Sequence, residues 1–399
     1  MPPRGGAGKH KDWVCLQRCA QFLFFTTPSL SPHTAIVKDI IRIGLIGTGR
    51  RGLKTLERYA YIPDAQICAI ADLDPEHLAD AQRMLSATAR PEALTFQGEE
   101  GWREMCRSTE SDLIYICTDW QSHAAMAIYA MEQGKDVAVE VPAATTVDEC
   151  RALVETARRT HRQCFMTENC CYDRFSLACY EMNRQGLFGS LRHLEGAYIH
   201  EIGTENSLWM EKDYAHHGGN PYPTHGLGPM AWLLGLGRTD HMDYLVSMTS
   251  AEGYINSTLI RTRRGVTIRL DLDVTTQRPY SRLQTICGSD GFAQKYPVPT
   301  IQTRDSGLLT GDAALQLAAR YETDEAARCW HKGRELGVPN EMNYTMDMRL
   351  IQALRHGQRP DITVEDAASW SCIAELSQQS ARNGSKPVSI PDFYAPSLA

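Results

Sequence analysis

The 399-residue chain carries 41 Lys and Arg against 48 Asp and Glu, a net charge of −7, with 43% hydrophobic and 22% charged residues. Such a length holds two or three domains with a sizeable core, and the balanced composition excludes a fibrous or wholly disordered chain. No apolar run approaches the roughly 18 residues of a spanning helix, and no basic stripe is present to hold a phosphate backbone, so neither a membrane span nor a nucleic-acid partner is expected.

Residues 1–38 read as a leader. MPPRGGAGKHKDW is basic, CAQFLFF is a very short apolar stretch, and TTPSLSPHTA is polar and rich in Pro and Ser. An export signal and an unstructured leader fit equally well, which leaves both a cytoplasmic and an exported destination open. The 13 cysteines form no framework: their number is odd, no CxxC pair occurs, and Cys170 and Cys171 are adjacent. Several lie inside apolar runs, where free thiols pack as small hydrophobes.

From Ile40 the pattern sharpens. IIRIGLIG is a short β-rich run, followed at once by GTGRRG and a segment with helical spacing. Gly47, Gly49 and Gly52 thus form G-x-G-x-x-G between a strand and a helix: the first permits a tight turn, the second admits a pyrophosphate, the third lets helix and strand pack closely. AQICAIADLD, the next strand, ends in Asp72, 20 residues beyond Gly52. A carboxylate at that spacing bonds ribose hydroxyls and repels a 2′-phosphate, so the expected cofactor is NAD.

Strand and helix signals go on alternating, as in a doubly wound parallel sheet. DLIYICTD reads as a buried strand, WQSHAAMAIYAMEQGK as a helix starting near Ser122–His123, and DVAVEVP as a strand closed by Pro142. TTVDECRALVETARRT has Thr146 and Glu149 spaced for a capping box, and QCFMTEN is a further strand. Asp119, Trp120, His123, Glu140, Val141 and Asn169 fall at or just after strand ends, where such sheets bind ligands.

After about residue 170 the alternation stops. A helix over RFSLACYEMNRQGLFG leads into β-rich segments, LRHLEGAYIHEI, DYLVSMTSAE, STLIRTRRGVTIRLDLDVTT and RLQTICGSDG, with hairpin-like turns at RRG and GSDG. Helices over NYTMDMRLIQALRHG and TVEDAASWSCIAELSQQSARNG close the chain. The fold class is α/β: a Rossmann domain over 39–169, then an α+β domain over 170–399 with a largely antiparallel open sheet.

At Glu140–Val141–Pro142 the chain resembles the glucose–fructose oxidoreductase/inositol dehydrogenase (Gfo/Idh/MocA) family. Most members have Glu-Lys-Pro there, the lysine reaching the hydroxyl that is oxidised; here Val141 replaces it. Glycoside hydrolase family 109 also has Glu-Val-Pro, and TENCCYD, GAYIHE, YPTHGLGP, STLIRT, DVTTQRPYSR, QKYP and DAASWS are similar to that family from about residue 41 to the C-terminus.

Its members are NAD-dependent α-N-acetylgalactosaminidases, and the resemblance implies that class of activity on a small glycoside substrate. It also implies NAD contacts from Gly49, Arg50, Arg51, Asp72, Trp120, Gln121, Ser122, His123, Glu140, Val141 and Asn169. Substrate contacts would come from Tyr198, Tyr222, Pro223, Thr224, His225 and Tyr296. An open sheet face in the family commonly mediates self-association, which implies a homo-oligomer through the C-terminal sheet. Two departures concern the substrate. A Trp-Arg pair whose arginine contacts the sugar is Trp209–Met210 here, and GHGGMD is replaced by GVPNEMNY.

The implied mechanism oxidises carbon 3, eliminates the aglycone from carbon 1, adds water and returns the hydride, so no paired carboxylates are needed. His225 is the expected acid/base residue, in a Pro/Gly-rich loop just before a helix start that would favour the neutral, proton-accepting imidazole. Tyr198 and Tyr222 share proton transfer, hold sugar hydroxyls or pack. Glu140 is read as positioning the nicotinamide and His123 as facing the cofactor. His216, His217 and His225 have no carboxylate or cysteine at a ligand spacing, so no metal is expected. A plain NAD-dependent sugar dehydrogenase is the competing reading, and the missing lysine weighs against it.

Overall fold

The structure, a computed structural model, describes residues 38–201 and 208–395. The expected leader therefore lies outside the described residues, apart from Lys38. The front half is a six-stranded parallel sheet built from β1 (Ile41–Ile46), β2 (Ala65–Asp72), β3 (Leu94–Gln97), β4 (Leu113–Ile116), β5 (Asp136–Val139) and β6 (Cys164–Met166). Its order is β3-β2-β1-β4-β5-β6, so the sense in which strands are added reverses between β1 and β4. Ligands sit outside the carboxyl ends of the strands at such a switch point.

The helices α1 (Arg50–Tyr59), α2 (Pro75–Ala87), α3 (Gly101–Ser108), α4 (Trp120–Glu132) and α5 (Val147–Thr160) cover the two faces. With both faces covered, β4 is buried at every position, which explains its unbroken apolar run. The Thr146–Glu149 capping box on α5 is present in full, while α4 begins at Trp120, two residues before the expected start.

A 3₁₀ turn over Asn169–Tyr172 and helix α6 (Arg174–Arg184) lead into the second sheet. Its strands are β7 (Leu191–Ile199), β8 (Met242–Thr249), β9 (Ile255–Thr262), β10 (Thr267–Asp273), β11 (Ser281–Gly288), β12 (Gly291–Gln294), β13 (Thr300–Thr303), β14 (Gly307–Thr310) and β15 (Val388–Ser389). The order is β14-β13-β12-β11-β7-β10-β9-β8-β15. β7 and β10 pair in parallel, and the remaining neighbours pair antiparallel. The RRG and GSDG turns join β9 to β10 and β11 to β12.

Helices α7 (Leu208–His217) and α8 (Thr224–Leu234) precede β8, and α9 (Asp312–Ala319), α10 (Glu325–Leu336), α11 (Glu341–Arg355), α12 (Val364–Ser371) and α13 (Ile373–Arg382) follow β14. The closing segment expected as one helix is thus two, meeting at Cys372. Two contacts position the site. A Cβ on Gly196 of β7 would stand 2.1 Å from the Gly226 carbonyl oxygen, so glycine at both positions lets α8 lie directly on the strand. Gly196, Tyr198 and His200 alternate onto the same face, which is the face α8 covers.

The second contact joins the halves. Arg58 of α1 and Asp347 of α11 form an ion pair at 3.0 Å with side chains 2% and 0% exposed, and the Tyr115 hydroxyl donates to the same carboxylate at 3.3 Å. Among the described residues no helix is long and apolar enough to cross a membrane. The cysteines among them are free and mostly buried.

Candidate active site

A cavity of about 1110 Å³ runs from the glycine turn to the face of the second sheet. Gly47 has φ +83°, and a Cβ on it would stand 2.7 Å from the Cys117 carbonyl oxygen. A Cβ on Gly52 would lie 2.1 Å from the Gly47 carbonyl, so the third glycine serves packing and does not line the cavity. Gly49, Arg50, Arg51 and Lys54 do line it. Gly49 caps α1 with no side-chain hydrogen bond, leaving the first amides of the helix facing the cavity. These features fit a dinucleotide pyrophosphate.

Asp72 ends β2 with its carboxylate anchored: Oδ2 accepts from the Thr48 amide at 2.6 Å and Oδ1 from the Asp74 amide at 2.9 Å. The Thr48 hydroxyl also donates to Oδ2 at 3.2 Å and His77 Nδ1 lies 3.4 Å from Oδ1, and the carboxylate so held lines the cavity as an acceptor for ribose hydroxyls. Arg51 Nε donates to Glu140 Oε1 at 2.7 Å, fixing that carboxylate at the end of β5. Val141 follows it into the cavity wall, an apolar side chain where a lysine would place an amine.

His123 lines the cavity but is held on both sides, Nδ1 by the Pro142 carbonyl at 2.8 Å and Nε2 near the Thr118 carbonyl at 3.1 Å. Burial lowers its proton affinity despite those carbonyls. It is therefore a strut between α4 and the turn after β5. Asp119 caps α4 by accepting from the Ser122 amide, the Ser122 hydroxyl donates to Thr118 and the Asp119 carbonyl, and neither Ser122 nor Gln121 lines the cavity.

The chemical centre is assembled from the end of β6 and the start of α8. His225 is the second residue of α8, not a loop residue before it. Its Nδ1–H donates to Glu168 Oε1 at 2.7 Å, and its Nε2 stands 3.2 Å from the Tyr222 hydroxyl. Glu168 is fully buried and also accepts from the Cys170 amide at 3.0 Å. The expectation of a ring kept neutral by the helix N-terminus is corrected here. Burial does act to lower the His225 proton affinity, but Cys170 and the Glu168 carboxylate outweigh it and raise the pKa to about 10. Burial likewise acts to raise Glu168, and the facing imidazolium holds it below the ordinary carboxylate value. A full charge 2.7 Å away in a dry site exceeds the partial charge of a helix end.

Glu168, Cys170 and His225 bring donor atoms within 4.8 Å of one another. Arg282 Nη1 donates to Cys170 Sγ at 2.7 Å, however, and the Nδ1 proton of His225 is spent on Glu168. The fold thus brings to His225 a carboxylate and a cysteine that spacing along the chain did not show, both already engaged in hydrogen bonds. His216 and His217 belong to α7 and take no part in this cluster. Asn169 bridges to the C-terminal half through Nδ2, which donates to Asn343 Oδ1 at 2.7 Å.

Aromatic rings roof the centre. Trp120 stacks on Tyr222 at 5.3 Å and meets Trp209 and Tyr214 edge-on. Tyr198 lies 4.9 Å from Tyr222 and 5.5 Å from His225, ring to ring, and its hydroxyl is 3.1 Å from His200 Nδ1. Tyr198, Tyr222 and His225 thus converge on the cavity. Pro223 and Thr224 shape the start of α8 without lining it, and Tyr296 stands one ring back, edge-on to Tyr280, which in turn meets His200.

Sequence reasoning passed over Glu168, Cys170, His200 and Arg282. Glu168 carried one signal, its place beside Asn169 at a strand end, and nothing in the sequence tied it to a histidine 57 residues on.

A first expected result concerns this pair. A carboxylate stabilises the imidazolium, so removing its charge lowers the proton affinity of His225 and frees the base at lower pH. Glu168→Gln should move the rising limb of the pH–rate profile toward acid by about one unit or more, and lower the maximal turnover about 10²-fold, because a weaker and less oriented base remains. A pH–rate series on both proteins checks this; a limb that stays in place removes Glu168 from control of His225.

Residues 41–168 match the family described as an oxidoreductase family with an NAD-binding Rossmann fold, and residues 172–253 and 251–397 match the C-terminal domain of glycosyl hydrolase 109. The chain is 45% identical over 402 residues to glycosyl hydrolase family 109 protein 2 of Phocaeicola vulgatus, covering 92% of this chain and 97% of that one. It is 45% identical over 390 residues to the alpha-N-acetylgalactosaminidase of Bacteroides fragilis, covering 89% and 92%. Among solved structures, levoglucosan dehydrogenase in complex with NADH and L-sorbose superposes with a TM-score of 0.72 at 17% identity, over 89% of this chain and 100% of that one. An oxidoreductase domain protein from Kribbella flavida gives 0.70 at 19%, over 88% and 99%. The solved structures establish the shared two-sheet fold.

Proposed function

The chain belongs to glycosyl hydrolase family 109, and on that premise we propose that it is an NAD-dependent, redox-neutral glycosidase acting on α-N-acetylgalactosaminides. The observation that carries this reading is the Glu168–His225–Tyr222 relay, facing the cavity into which the glycine turn opens, with apolar Val141 beside it. Bound NAD would accept a hydride from the sugar and later give it back.

The protein's part is proton handling and exclusion of water. In its neutral form, which grows as pH rises toward its raised pKa, His225 Nε2 takes the proton of the hydroxyl being oxidised, and Glu168 stabilises the imidazolium so formed. High proton affinity suits this role: the proton stays on His225 while the carbonyl exists and returns to it with the hydride. Burial, followed by the charges of neighbouring groups, keeps the Tyr222 phenol protonated, so it serves as a donor beside Nε2. Trp120, Trp209 and Tyr214 wall the centre from solvent, which strengthens each of these interactions.

Incubation of the purified protein with p-nitrophenyl α-N-acetylgalactosaminide, followed at 405 and 340 nm, tests the reading. Nitrophenol release without accumulating reduced cofactor is the expected result. Net cofactor reduction with free sugars would instead make the protein a sugar dehydrogenase, and silence in both channels across a glycoside panel would remove the enzymatic reading.

The nine-stranded sheet also supports self-association. Met248 on β8 and Ile255 and Leu259 on β9 expose 66%, 36% and 51% of their surface on the sheet's outer face. Sedimentation of the wild type beside Leu259→Lys should show a larger species that the charge dissociates. With a net charge of −7, no nucleic-acid partner is proposed.

A further inference from the structure

The redox-neutral cycle proposed above needs two proton acceptors. One holds the hydroxyl proton for as long as the sugar stays oxidised. The other moves a proton from carbon 2 to the departing aglycone during that interval. His225 with Glu168 can hold one proton only. The cavity contains a second phenol–imidazole pair, Tyr198 with His200, joined at 3.1 Å through Nδ1.

The two pairs face the same space, since the Tyr198 ring lies 4.9 Å from Tyr222 and 5.5 Å from His225. They differ in setting. Both imidazoles are partly buried and line the cavity, but His225 is backed by a buried carboxylate, whereas His200 bonds no carboxylate among the described residues and meets the ring of Tyr280 at 5.2 Å. Its place is fixed by its backbone amide, which donates to the Asp273 carbonyl at 2.9 Å. A ring held against a buried carboxylate retains its proton, which leaves the shorter-lived transfers to the other pair.

We infer that His200 is the positioning residue of a separate elimination unit, in which it takes the phenol proton of Tyr198 while Tyr198 acts on the sugar. The step balances as follows. His200 Nδ1 accepts the Tyr198 proton, and the phenolate oxygen takes the proton from carbon 2. The carbon 2–hydrogen electron pair becomes the carbon 1–carbon 2 double bond, and the carbon 1–oxygen pair leaves with the aglycone. The aglycone oxygen takes the proton now on Tyr198, and His200 returns its own. No further oxidant or base is consumed. This rests on the glycosidase reading, and it assigns oxidation and elimination to different histidines.

His200→Gln separates the two half-reactions. With p-nitrophenyl α-N-acetylgalactosaminide, the transient at 340 nm should keep its rate within about threefold, while aglycone release and carbon 2 deuterium exchange in D₂O fall on the order of 10²-fold. Adding imidazole to His200→Ala should restore part of the release, which a merely structural residue would not allow. Glu168→Gln should show the reverse pattern, losing the 340 nm transient first. Equal loss of both half-reactions in His200→Gln, unchanged release, or absence of imidazole rescue overturns the inference. A wild type that cleaves no glycoside overturns the glycosidase reading, and this inference with it; cleavage by the wild type with an unaltered His200 variant overturns this inference alone.

Discussion

Replacing His225 with alanine is expected to lower turnover on the order of 10³-fold or more, the loss typical when the histidine of a carboxylate–histidine unit is removed. The cofactor should stay bound, because the glycine turn, Asp72 and Glu140 that surround its site do not depend on the imidazole. Tryptophan quenching on NAD titration, beside the 405 nm rate, measures both quantities in one preparation. The substitution also leaves Glu168 buried and unpaired, and about 1–3 kcal/mol of stability should go with it. His225→Gln serves as the control: its amide can donate to Glu168 but cannot titrate, so it should melt near the wild type and remain inactive. Undiminished turnover in both variants would exclude His225 from the chemistry.

The largest effect on stability is expected far from the reacting atoms. Asp347→Ala leaves the Arg58 guanidinium, 2% exposed, without its carboxylate and removes the acceptor for the Tyr115 hydroxyl. Breaking one side of a buried ion pair typically costs about 3–5 kcal/mol, since the remaining charge is neither solvated nor paired. Denaturant unfolding should show that loss, and Asp347→Asn, which keeps an acceptor for both partners, should show about half of it. Because α1 begins at the glycine turn and carries Arg58 near its other end, the alanine variant should also bind NAD more weakly. A midpoint within experimental scatter of the wild type would mean that water reaches Arg58.

The Rossmann half was legible because its constraints are local. A strand, a glycine turn and a helix must follow one another within a few residues, and Gly47 can be recognised from sequence since its φ of +83° and the 2.7 Å approach to Cys117 exclude a side chain. Asp72 follows from spacing along the next strand. In the second half, Tyr198 and Tyr222 were marked by the motifs around them, and strand alternation foretold the open sheet. The helix over Thr224–Leu234 was expected to start at Gly226, two residues late, and the close seat of Gly226 on Gly196 holds the helix against its strand.

What the sequence determined by itself is the cofactor half, written in residues a few positions apart, while the family resemblance supplied the class of chemistry and His225 stood out as the candidate base. What only the tertiary structure decided is the state of that histidine and its partners. Glu168 meets His225 across 57 positions, Arg282 meets Cys170 across 112, and Arg58 meets Asp347 across 289. Charge acts through space and in proportion to how thoroughly water is excluded. A lone histidine at a helix start reads as neutral, and the same ring against a buried carboxylate holds its proton.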